Sequence, residues 1–200
     1  MRHRARLVRP FLAAILIGGI ASPAAAHPHV WVDYELTVMF DKGLIVALRE
    51  DWSFDEDFSS AALHDAVGAK PVKTIGPKEN AELEKNAFSN LKNYGYFTHV
   101  FPAEGKVETG EASGFKARLD GAKLAYSFTV PLAHGIDAKP GPVGIGIWDD
   151  TYYVDVGPAP GKEPKLEGDG SAACKVVIVE DHQHPIYFGS VFPKTARITC

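Results

Sequence analysis

From His29 to Phe40 the chain alternates without a break. Val30, Val32, Tyr34, Leu36, Val38 and Phe40 fall on one face, and His29, Trp31, Asp33, Glu35, Thr37 and Met39 on the other. A period of two over that length marks a long, half-buried strand. It commits the molecule to a sheet with one apolar face to cover. Asp41-Lys42-Gly43 is a turn signal, so Leu44 to Trp52 reads as the partner strand of a hairpin.

The period then changes. Ser53-Phe54-Asp55-Glu56 fits a capping box and opens a helix that carries Phe58, Ala61, Ala62 and Leu63 and stops at Gly68. Gly76-Pro77 opens a second helix, with Leu83, Ala87, Leu91 and Tyr94 at helical spacing and Gly95 as its end. Beyond it the strand-like runs return, at about 96–101, 105–109, 112–119, 122–130, 143–148, 151–156, 174–181 and, in pieces, 186–199. Asp120-Gly121 is a hairpin signal, and the Gly, Pro and charge of 157–170 read as an exposed connection. The expected fold is mainly β: an antiparallel β-sandwich with a two-helix insertion at about 53–95, α+β overall.

Residues 1–26 read as a secretory signal. Arg2, Arg4, Arg6 and Arg9 precede an apolar run from Phe11 to Ile20, and Ala24-Ala25-Ala26 offers a small-x-small cleavage site. Cleavage after Ala26 would leave residues 27–200 as one domain in the periplasm, with no segment of membrane-spanning length. It would also remove four arginines and no carboxylate, so the formal charge of −4 would become −8. An acidic chain without a basic patch argues against nucleic acid as a partner. The two cysteines, Cys174 and Cys200, are expected to pair in an oxidising compartment.

Four of the histidines beyond the signal form two His-x-His pairs, His27 with His29 and His182 with His184. On a strand, positions i and i+2 share a side about 6.6 Å apart, so each pair could grip one ion. Imidazole suits zinc, nickel and copper alike. A mature N-terminal His27 could add its amine to its ring nitrogen as a brace. Pro28 has no backbone N–H, which excludes the amino-terminal motif that needs a deprotonated amide there. One site made of His27, His29, His182 and His184 requires the strand after the signal to lie beside the strand around 176–184. Asp149 is a possible oxygen donor, or simply part of a turn before a strand. The plain alternative is that His29 lies on an outer strand face while His182 and His184 are solvated.

The blocks His-Pro-His-Val-Trp-Val-Asp (27–33), Trp-Ser-Phe-Asp-Glu-Asp-Phe-Ser (52–59), Leu-Lys-Asn-Tyr-Gly-Tyr-Phe (91–97) and Asp-Thr-Tyr-Tyr (150–153) together resemble the bacterial family known as domain of unknown function 1007. The resemblance implies an exported protein associated with metal and ABC-type transport systems. With the histidine pairs, it leads to the expectation of a non-enzymatic accessory protein that binds a divalent transition metal (zinc, nickel or copper) and serves a membrane metal transporter. Two alternatives stand beside it: an envelope interaction module whose histidines are incidental, and an oxidative copper enzyme built on an N-terminal brace.

Overall fold

The structure is a computed structural model, and it describes residues 29–68, 72–105 and 107–200. The alternating run forms strand β1, Val30–Asp41, and pairs antiparallel with β2, Leu44–Phe54. The turn between them holds only Lys42 and Gly43, both at positive φ (49° and 80°), the geometry of a tight hairpin that follows the sheet's twist. Val30 through Phe40 on the even face are all buried, as the alternation requires.

The helical insertion follows β2, but it starts later than the capping box indicates. Helix α1 spans Glu56–Val67 and its N-cap is Asp55, whose carboxylate accepts from the Phe58 amide. Ser53 instead stays in β2, opposite Asp33, because two further residues of ladder pairing are gained by continuing the strand. Helix α2, Pro77–Asn86, begins at the expected Gly-Pro step, and Glu79 reaches back to accept from the Gly76 amide at 3.0 Å. It ends well before Gly95. The chain tightens into a 3₁₀ segment, Phe88–Phe97, and leaves through three consecutive left-handed residues, Gly95, Tyr96 and Phe97. That turn drives Tyr96 into the core.

Eight more strands complete two sheets: β3 Thr98–Phe101, β4 Ser113–Asp120, β5 Lys123–Ile136, β6 Val143–Ile147, β7 Val154–Pro158, β8 Lys165–Gly168, β9 Lys175–Glu180 and β10 Lys194–Thr199. The larger sheet runs β4-β5-β2-β1-β7, with β8 also on β1, and the smaller runs β3-β6-β10-β9. Their facing sides share one apolar cluster, in which Val38, Leu48 and Phe128 meet Ile145, Ala196 and Ile198. The sandwich with a helical insertion is therefore present. Three details differ from expectation. β7 and β8 lie parallel to β1, and part of the stretch expected to be an exposed connection forms β8. Of the expected strand at 105–109, the described part contributes an isolated bridge, Thr109 to Leu132.

Cys174 and Cys200 form a disulfide. It closes the open end of the β9–β10 pair, next to the Lys175–Thr199 rung.

An open-face cleft as the candidate functional site

The smaller sheet buries one side and leaves the other open. On the open side, cross-strand register produces two ranks. Phe101, Gly144, Arg197 and Val177 form the first, and His99, Gly146, Thr195 and Val179 the second. Each rank has a glycine on β6. Gly146 is the seat of the Trp148 indole: a Cβ there would come within 1.8 Å of the ring. The indole lies parallel to His99, with centroids 4.4 Å apart. The carbonyl of Trp148 is 3.0 Å from His99 Nε2. Gly144 leaves the floor of the first rank at backbone level, bounded by Phe101 and Thr195.

The segment after β9 forms the wall. Asp181 is largely buried and is the hub of that wall. Its Oδ1 accepts from the amides of Gln183 (2.9 Å) and His184 (3.1 Å). Its Oδ2 accepts from the Thr195 hydroxyl at 2.9 Å and lies 3.0 Å from His184 Nδ1. Burial alone would raise the Asp181 pKa. The bonds from His184, Thr195 and the Gln183 amide outweigh it and hold the carboxyl below its ordinary value. The His184 ring is pinned a second time by stacking on Phe101, with centroids 3.8 Å apart.

These elements enclose a cleft of about 430 Å³, lined by Phe101, Gly144, Val179, the loop 180–184, Thr195 and Arg197. With Nδ1 engaged by a carboxylate, a neutral His184 carries its proton on Nδ1 and its lone pair on Nε2. Nε2 has no hydrogen-bond partner among the described residues. Arg197 is exposed and has no acidic partner among the described residues. The site thus offers one oriented nitrogen donor and one unpaired guanidinium across a glycine floor.

The four histidines expected to share a site are distributed as follows. His27 lies outside the described residues. The His29 amide donates to the Tyr153 carbonyl at 2.9 Å, and the two rings lie 4.8 Å apart. His182 and His184 are not on a strand, because β9 ends at Glu180 and the Asp181 side chain accepts from the Gln183 and His184 amides in place of a sheet partner. The pair therefore diverges: His182 Nε2 meets Glu180 Oε1 at 2.9 Å while His184 turns to Asp181. The expected adjacency of the strand after the signal and the strand around 176–184 is corrected. β1 is flanked by β2, β7 and β8 in the larger sheet, while β9 is an edge of the smaller one. Among the described residues, no group of three or more His, Cys, Asp or Glu is placed to hold a metal ion.

Asp149 resolves into the structural option. Its carboxylate accepts from the amides of Thr151, Tyr153 and Val154 and from the Thr151 hydroxyl, which builds the turn that feeds β7. Sequence reasoning missed Arg197, Thr195 and the β6 glycines. The alternation Val-Gly-Ile-Gly-Ile over 143–147 was the available signal, since it leaves one face of a strand without side chains.

Fold and site together define a mainly β, two-sheet protein with a helical insertion and a glycine-floored cleft on the outside of its smaller sheet. The chain belongs to the family described as "Protein of unknown function (DUF1007)", whose model matches residues 12–200. It is 28% identical over 131 residues to an "Uncharacterized protein" of Haemophilus influenzae, a match that covers 64% of this chain and 61% of that one. It is 34% identical over 127 residues to an "Uncharacterized 15.5 kDa protein in trpE 3'region" of Spirochaeta aurantia, covering 61% of this chain and 86% of the relative. The chain thus spans less than two thirds of the Haemophilus protein's length.

Proposed function

We propose that this protein is a periplasmic accessory protein that binds a divalent transition metal, with zinc, nickel and copper as the cargo class, and serves a membrane metal transporter. The observation that carries the reading is the Asp181–His184 pair in the wall of the cleft. A carboxylate fixes Nδ1 at 3.0 Å and leaves Nε2 as an oriented donor, the arrangement by which proteins position a metal-binding imidazole. His182 stands two residues away, held by Glu180. The disulfide is compatible with a compartment outside the cytosol. No helix among the described residues is long and apolar enough to cross a membrane. The signal-like pattern of residues 1–26 supports export.

The test is calorimetry of the mature chain with zinc, nickel and copper salts, alongside the variants His182→Ala and His184→Ala and analysis of metal content after purification from the periplasm. Micromolar binding that His184→Ala abolishes supports the reading. Absence of binding for all three ions, both as free salts and as their carboxylate chelates, removes its basis.

One observation favours a second reading, an interaction module. The loop between Ile186 and Val191 holds Tyr187, Phe188 and Gly189 at positive φ, and Phe188 is completely exposed at its tip. Left-handed backbone is costly for aromatic residues, and it is spent here on presenting a large apolar side chain to solvent. Phe188→Ser should leave metal binding untouched and weaken attachment to any membrane partner.

A further inference from the structure

We infer that the cleft receives its metal as a complex with a small carboxylate chelator rather than as a bare ion, with Arg197 holding the chelator's free carboxylate. The inference rests on the metal-binding reading above and specifies the form of the cargo.

A transition metal of this class takes four or more ligands. Among the described residues no three candidate ligands converge. Asp181 spends its oxygens on two amides, a hydroxyl and an imidazole, and Glu180 is engaged with His182. Among the described residues His184 Nε2 is therefore the single oriented donor of the cleft, and an ion that brings most of its coordination shell with it matches what they offer.

A cleft of about 430 Å³ falls in the range of small-molecule sites and far exceeds what one ion occupies. Its floor at Gly144 lies at backbone level between Phe101 and Arg197. A Cβ at that position would crowd Thr195 Cγ2 at 3.2 Å and touch Phe101 at 3.5 Å, so the glycine keeps the space between them open.

Arg197 projects from the open face of an acidic chain with no acidic partner among the described residues. A dication alone would leave that guanidinium unused, while the two carboxylates of the lining, Glu180 and Asp181, are already bonded to His182 and His184. A metal–carboxylate complex uses both ends of the cleft: an open position on the metal takes His184 Nε2, and a carboxylate oxygen pair accepts from the arginine fork. The matching class is a small polycarboxylate or amino-acid chelator with at least one carboxylate to spare.

Equilibrium dialysis of the mature chain tests this, with metal and radiolabelled chelator counted separately. The arms are nickel alone, nickel with citrate, nickel with free histidine, and each chelator without metal. The expected result is retention of metal and chelator together in equal amounts, at least about tenfold tighter than nickel alone, with the better chelator identifying the source. Arg197→Gln should lower retention of the complex by about tenfold or more, and Arg197→Lys should recover part of it, in line with loss of one charge-assisted pair. Nickel alone binding as tightly as its complexes, or retention indifferent to Arg197→Gln, overturns the inference and leaves the metal reading standing. Chelator alone binding as tightly as its nickel complex overturns the metal reading too, and so does absence of retention in every arm.

Discussion

Trp52 donates its indole N–H to Glu50 at 2.9 Å, two residues away on the same strand and inside the core. Glu50 has no exposed surface, and its other oxygen accepts from the Thr98 hydroxyl at 2.9 Å, so one carboxyl ties β2 of the larger sheet to β3 of the smaller. The hydroxyls of the buried Tyr34 and Tyr126 have no hydrogen-bond partner among the described residues, and burial pushes both their pKa values up. Desolvation pushes Glu50 up to about 8, against the two hydrogen bonds that favour its charged form.

That value predicts the pH dependence of stability. The folded pKa lies above the unfolded one, so folding favours the protonated acid. The stability this provides is full below the unfolded value and is lost as pH rises through about 8. The gap corresponds to roughly 4–5 kcal/mol as an upper bound. Glu50→Gln should remove the effect. The amide oxygen still accepts from Trp52, and the amide N–H donates to Thr98, whose own hydroxyl turns to the Tyr96 carbonyl 3.2 Å away. Urea midpoints measured between pH 5 and 9 should fall for the natural chain and stay level for the variant. Parallel curves would refute the assignment.

Asp55 predicts a local weak point. One carboxylate oxygen accepts from the Phe58 amide at 2.8 Å and caps α1, and the other accepts from the Trp31 amide at 2.9 Å and fixes the start of β1. Asp55→Ala should destabilise by about 1–2 kcal/mol, the range of lost N-caps. Asp55→Asn, which keeps a single acceptor, should fall between. Chemical denaturation of the three chains orders them.

How far the sequence announced this structure depends on the range of the cause. The β1 alternation, the Lys42-Gly43 turn and the cysteine pair are local or binary signals, and each appears where it was read. The helix start at Asp55 was misplaced by two residues because Ser53 and Phe54 pair with Asp33 and Val32, partners far away in sequence. The His182-x-His184 spacing looked like a clamp only on the premise of a strand. An aspartate one residue earlier ends that strand with its own side-chain bonds. The cleft itself depends on Phe101, Gly144 and Arg197 falling in one rank, a fact of register among three strands that no local pattern encodes.

The disulfide ties the final residue to the start of β9, an edge strand with much of its surface in solvent. Cys174→Ser with Cys200→Ser frees a loop with sequence separation 26. The chain-entropy account gives about 3–4 kcal/mol for a loop of that length. A fall of that size in unfolding free energy, matched by reduction of the natural chain, is the expected outcome; an unchanged midpoint would assign the tie no role in stability.

Gly146 predicts an optical signal. A methyl group there would occupy the space of the Trp148 ring, 1.8 Å away. Gly146→Ala should lift the indole off the sheet, break its stack with His99 and shift tryptophan emission toward the red. Overpacking of this kind costs about 1–3 kcal/mol. Retention of the natural emission spectrum would mean the indole does not rest where the structure has it.

The sharpest test of the cleft is a change of one atom. In the natural chain Asp181 Oδ2 lies 3.0 Å from His184 Nδ1, and a carboxylate can only accept, so the neutral ring holds its proton on Nδ1 and its lone pair on Nε2. In Asp181→Asn the amide oxygen can still accept from the Gln183 and His184 amides, 2.9 and 3.1 Å from the oxygen it replaces. The new NH₂ then faces His184 and the Thr195 hydroxyl. Nδ1 becomes an acceptor, the ring proton moves to Nε2, and the nitrogen needed for a metal carries a hydrogen instead. Metal retention should fall by about 10–100-fold, the usual loss when the group orienting a ligating histidine is changed. The loop should keep its course, since the backbone bonds remain and the Phe101 stack at 3.8 Å does not depend on the proton. Nitrogen chemical shifts of the labelled imidazole report the tautomer directly, and equilibrium dialysis reports the metal. A variant that switches tautomer yet retains metal as before would show that His184 Nε2 is not the donor.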